Sequence, residues 1–153
     1  YWDFGKARSY LERAQTPWTP AVSIFYGLDV ALEQMFKEGL ENIYQRHARV
    51  AQKAREGVKS LGLSLFADES CASNTVTAFN IPDGVDPSAI SQQLQSDHQV
   101  ILSGGQGTLE GKILRIGHLG HVNDEDISQV IAALSSVLPN VGFQPTASLA
   151  MDR

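Results

Sequence analysis

Between Leu40 and Leu61 the positions Leu40, Ile43, His47, Val50, Ala54, Val58 and Leu61 alternate three and four apart, the spacing of one face of an α-helix about six turns long. The opposite face carries Glu41, Arg46, Arg49, Lys53, Arg55 and Lys59, so the stripe needs a core on one side and water on the other. Gly62 stops it, and the period changes. LSLF and TVTAFNI are short β-branched or aromatic runs, a helix opens at Asp86-Pro87 and runs through Leu94, and QVILS and KILRIG read as two more strands. A last helix begins at Asn123, whose side chain can cap it. Asp124, Glu125 and Asp126 sit at the positive end of its dipole, and Ile127, Val130, Ile131, Leu134 and Leu138 face a core. A long one-sided helix followed by β-β-α-β-β-α has few ways to bury its apolar surface. The pattern predicts an α+β fold in which two helices lead into a small mixed or antiparallel sheet with helices on one face.

Upstream, Lys6 to Ala14 can form a short helix that runs into TPWTP, where two prolines force extended backbone before each of them. Thr19 then reads as an N-cap with Pro20 at the first helical position, and Ala21, Ile24, Phe25, Leu28, Leu32, Met35 and Phe36 continue at helical spacing until Gly39. The expected organisation is a junction and first helix over 1–38, a compact unit with its long connecting helix over 39–138, and a loosely held tail over 139–153, where Pro, Gly, Ser and Ala follow no period.

The chain's 153 residues suffice for one domain, and no apolar run approaches the roughly 18 residues of a membrane span. Cys71 is the only cysteine, which removes an intrachain disulfide and a thiolate zinc cluster and points to a reducing, cytoplasmic setting. A net charge of −5 argues against nucleic acid as a partner. The start at Tyr1, without an initiator methionine, suggests a fragment of something longer. Charge is unevenly spread: nine of twelve basic residues lie in the first sixty, and between Leu61 and Asp152 only Lys112 and Arg115 stand against ten acids.

Four features invite functional readings. LSGGQ, at 102–106, matches the signature of ABC-transporter ATPases, but that signature works with a P-loop, GxxxxGK[ST], which this sequence lacks, and GTLEGKILRIG after it reads as turn and strand. Gly104, Gly105 and Gly107 are better explained by a tight connection or a close approach of backbone. Arg115 is either an edge-strand solubiliser or a planar charged fork aimed at a carboxylate or phosphate, and its isolation in an acidic region favours the ligand. For Thr19 the ordinary reading is a helix cap, the other a hydroxyl offered to an anion. His47 reads as a packed imidazole, and His118 with His121 lacks a third ligand for zinc.

Taken together, TPWTPAVSIFYGLDVALEQMFKEGLENIYQRHARVAQKAREGVKSLGL, TVTAFNIPDG and ILSGGQGTLEGKILRIGHLG closely resemble the C-terminal part of class V aminotransferases of the alanine-glyoxylate and serine-pyruvate group, from Tyr1 to about Leu138. Some bacterial relatives carry the label "soluble hydrogenase subunit", although nothing in this sequence could ligate nickel or an iron–sulfur cluster. The resemblance implies the C-terminal small domain of a homodimeric enzyme that uses pyridoxal 5'-phosphate, bound mainly by a large domain, to move an amino group from an amino acid to a small 2-oxo acid such as glyoxylate or pyruvate. It implies that Arg115, in the RIGHLG strand, binds the substrate carboxylate. It also implies that Thr19 reaches the cofactor phosphate of the neighbouring subunit. Two departures go with it: a tyrosine of some relatives is Thr16 here, and none of Lys6, Lys37, Lys53, Lys59 or Lys112 stands where the family's Schiff-base lysine would, so these residues alone should be inactive. The competing expectation is a free-standing carboxylate-binding or dimerisation module without catalysis.

Overall fold

A computed structural model describes residues 1–144 of the chain. It divides into two compact units, Tyr1–Ile43 and Tyr44–Arg153.

In the first unit, α1 spans Phe4–Leu11 and α2 spans Val22–Glu38. Asp3 caps α1 by accepting a hydrogen bond from the Lys6 amide at 2.9 Å, which starts that helix two residues before the sequence pattern places it. The expected cap of α2 is corrected: the N-cap is Ala21, which has no capping side chain, and Thr19 lies two residues upstream of it. The reason is local. Ala21 has φ −74° and ψ 72°, and the Val22 amide donates to the Pro20 carbonyl at 2.9 Å, an inverse γ-turn that delays the helix. No residue of α1 or α2 is buried. Trp2, Phe4, Ile24, Phe25, Tyr26 and Phe36 all stand exposed.

The second unit holds the core. Helix α3, Leu40–Ser60, enters it with Val50, Ala51, Ala54 and Val58 fully buried. Then follow β1 at Val76–Asn80, α4 at Pro87–His98, β2 at Ser103–Gly104, β3 at Ile113–Gly117 and α5 at Asp124–Val137. The strands form one antiparallel sheet in the order β1-β3-β2. Thr77 and Phe79 of β1 and Leu114 and Ile116 of β3 are buried, as alternation along a strand requires when one face is covered. Over that face pack Val50, Ala54 and Val58 of α3, Ile90 and Leu94 of α4, and Ile127, Ile131 and Leu134 of α5. Gly57 lets α5 come close: a Cβ there would lie 2.5 Å from the Ile131 side chain. The α+β arrangement with helices on one face is as the sequence indicates, and the sheet is wholly antiparallel.

Two expected strands shrink. LSLF contributes a single antiparallel bridge, Leu65 to Phe79. QVILS yields only Ser103, because α4 runs on to His98 and the next residues are spent turning: Gln99 takes φ 56°, and the Val100 amide donates to the Leu94 carbonyl at 3.0 Å. The cap of α5 is as anticipated. The Asn123 side chain accepts from the Glu125 and Asp126 amides, and the Asp126 carboxylate accepts from the Asn123 amide in return. Beyond α5, Val141 and Phe143 pack against the core, and the rest of the tail, 145–153, lies outside the described residues.

Candidate functional site

Strand order decides the first question about Arg115. β3 is the middle strand, so the edge-strand reading falls away. Along β3 the side chains alternate: Leu114 and Ile116 go to the helices, and half-buried Arg115 points to the open face with Gly117 after it. Its register partners are Ala78 on β1 and Ser103 on β2, two small residues that leave the guanidinium room. Arg115 Nε donates to the Gly104 carbonyl at 3.0 Å. No carboxylate of the described residues pairs with this cation. With Nε engaged, the two terminal nitrogens remain as an end-on fork, the geometry that grips both oxygens of a carboxylate. A recess of about 680 Å³ lies beside β2, lined by Asp86, Ser88, Gly104, Gly105, Glu110 and Ile113 among others, and its two acids suit a carboxylate ligand poorly.

The turn under β2 is held by backbone. The Gly105 amide donates to the Ile113 carbonyl at 3.1 Å and the Lys112 amide to the Leu109 carbonyl at 3.0 Å. This is where LSGGQ sits: Ser103 and Gly104 form the strand, and Gln106 precedes a single 3-10 turn, Gly107–Leu109, and not an α-helix.

Behind β3, His118 is completely buried and its Nε2 shares a hydrogen bond of 2.9 Å with Thr77 Oγ1. Nδ1 is buried and, among the described residues, makes no hydrogen bond. Burial pushes the imidazole below its ordinary pKa; the neighbouring backbone oxygens pull it up, and Arg55 and His47 add a smaller downward push. A histidine whose folded pKa is lowered refuses a proton that the unfolded chain accepts. Its stability contribution is intact above the unfolded value of 6.5 and is lost as pH falls below it. Thermal unfolding should therefore show a midpoint that declines as pH drops below 6.5, and an NMR titration of the His118 ring should give a midpoint under that value.

Arg46 was expected on a solvated helix face. Instead its Nη1 donates to the carbonyls of Gly120 at 2.9 Å and Val122 at 2.8 Å, tying down the loop that follows β3. Arg49 pairs with Asp124 at 2.9 Å beside it. Such contacts join residues more than seventy apart in sequence, and no local pattern announces them.

Thr19 belongs to the first unit and Arg115 to the second. Thr19 is exposed, and among the described residues its hydroxyl has no partner. Thr16 is occupied, donating to the Trp18 carbonyl at 2.7 Å. His47 is half-buried and His121 exposed, and among the described residues no three His, Cys, Asp or Glu side chains converge to hold a metal ion.

The family model for class-V aminotransferases matches residues 13–130, the stretch that contains α2, α3, α4, the sheet and the first half of α5. The chain belongs to the class-V aminotransferase family. It is 44% identical over 98% of its length to a protein of Synechococcus sp. called "Soluble hydrogenase, small subunit", covering 40% of that protein. It is 39% identical over 83% of its length to the serine–glyoxylate aminotransferase of Arabidopsis thaliana, covering 32% of it. The crystal structure of pyridoxamine-pyruvate aminotransferase from Mesorhizobium loti superposes on 86% of this chain with a TM-score of 0.82 and 39% identity, again over only 34% of that molecule.

Class-V aminotransferases are enzymes, and the family implies dependence on pyridoxal phosphate. This chain's residues do not hold that cofactor by themselves. A Schiff-base lysine is desolvated and poised beside its cofactor, whereas here Lys37 and Lys112 are exposed, Lys53 is only half-buried, Lys59 is bonded to Glu69 at 2.8 Å and Lys6 lies over the Trp18 ring. Among the described residues, no helix is long and apolar enough to cross a membrane.

Proposed function

We propose that this chain is the carboxylate-binding C-terminal part of an aminotransferase that moves an amino group from an amino acid to a small 2-oxo acid, glyoxylate or pyruvate. The observation that carries this reading is Arg115: a cation on the central strand, pointing to the open face, braced by Gly104 and, among the described residues, without an acid to neutralise it. Relatives named for glyoxylate and pyruvate supply the substrate class. All such acids share one feature, a carboxylate next to the reacting carbon, and a fixed fork orients that carbon by its neighbour. Pyridoxal phosphate, when bound, supplies the electron sink for the chemistry. This chain supplies position. Arg115 holds the acid end of the substrate, and Thr19 offers its free hydroxyl to the cofactor phosphate of a second subunit.

The bare apolar surface of α1 and α2 supports the same view, since a surface of that size needs a cover that the large domain and a second copy would provide in a homodimer. The 1–38 segment then serves as the junction and 39–138 as the small domain. The test is an amino-transfer assay on the complete polypeptide. It should consume glyoxylate or pyruvate only when an amino donor is present, one new amino acid appearing for each oxo acid lost. Carboxylate binding without any amino transfer, at saturating cofactor, would leave the free-standing binding module as the correct account.

A further inference from the structure

We propose that Ser103 is a second substrate-contacting residue, donating its hydroxyl proton to an oxygen of the carboxylate that Arg115 grips. The inference rests on the reading of Arg115 given above and adds a group that reading does not contain. Ser103 is the register partner of Arg115 across the β2–β3 pair, so both side chains leave the same face of the sheet, with Cβ atoms about 4.5–5.5 Å apart. On the other flank stands Ala78, which offers only a methyl group. The bond from Nε to the Gly104 carbonyl draws the guanidinium towards the β2 side, and Ser103 is the residue next to that carbonyl.

Chemistry completes the argument. A carboxylate has about four lone-pair positions and an end-on guanidinium satisfies two of them, so a further donor is wanted on the same side. Ser103 is exposed, and among the described residues its hydroxyl has no partner. Its backbone is fixed by pairing with β3, and the Gly105 amide bonded to the Ile113 carbonyl pins the following turn. The donor is therefore held in place before any ligand arrives, which keeps the entropic cost of using it low.

The experiment uses the complete enzyme and reads both steady-state kinetics for the 2-oxo acid and calorimetric binding of an unreactive monocarboxylate. Ser103→Ala should raise KM and the dissociation constant together by roughly tenfold and leave kcat near the parent value, because the carboxylate is held alike before and during reaction. Ser103→Thr retains the hydroxyl and should stay within about threefold of the parent. Ser103→Asp sets a competing carboxylate beside the fork and should weaken binding by about a hundredfold or more. Thermal midpoints of the three variants should match the parent, since the site lies on an open sheet face. If Ser103→Ala binds like the parent while Arg115→Ala does not, the role of Ser103 is refuted and that of Arg115 stands. If neither variant changes binding, the carboxylate site itself has been misplaced.

Discussion

Arg115→Ala in the complete enzyme should raise KM for glyoxylate or pyruvate by about 10- to 150-fold, the equivalent of 1.5–3 kcal/mol for hydrogen bonds to a charged group. The fold should survive, because Arg115 points away from the buried side of β3, and truncation leaves only the Gly104 carbonyl, on an exposed residue, without its partner. Arg115→Lys should recover little of the loss. An ammonium is a point charge on a flexible stem; it cannot present two parallel N–H donors while a third bond holds it to Gly104. Kinetics across a series of oxo acids is the check, and a KM within about twofold of the parent for both variants is the result that contradicts the assignment.

Gly105→Ala should be the most damaging single change to the site's architecture. A Cβ at this position would lie 1.9 Å from the Leu109 carbonyl oxygen and 3.0 Å from the Ile113 side chain. That carbonyl already accepts the Lys112 amide, and the Gly105 amide already donates to Ile113, so neither side can withdraw without breaking a bond. Overpacking usually costs about 1–3 kcal/mol, and a collision with engaged backbone belongs at or above the top of that range. The displacement would also shift Gly104, whose carbonyl braces Arg115. Chemical denaturation should show lost stability, and the surviving enzyme should show a raised KM for the oxo acid. Gly104→Ala serves as the contrast: a Cβ there meets nothing within 4 Å, so its cost in stability should be small.

Much of the fold was legible because its periods are regular. The stripe from Leu40 to Leu61, the cap that opens α5 at Asn123 and the burial of Leu114 and Ile116 on one face of β3 all follow from neighbours along the chain. Where the reading slipped, a competing local bond won. Thr19 lost its expected cap to the γ-turn at Ala21, and QVILS lost its strand to the C-terminal turn of α4. The spacing of TVTAFNI and KILRIG could identify two strands but not which of them lay inside the sheet.

By itself the sequence determined the α+β class, the helix stripes, the isolation of Arg115 among acids and the family resemblance, since each depends on residue type and short-range spacing. Only the tertiary structure decided that β3 is central, that Ser103 and Ala78 flank Arg115, that Arg46 ties the loop after β3, and that His118 is sealed beneath the sheet. Strand order, register and burial are set by how distant segments pack to remove apolar surface from water, and that sum is taken over the whole core at once.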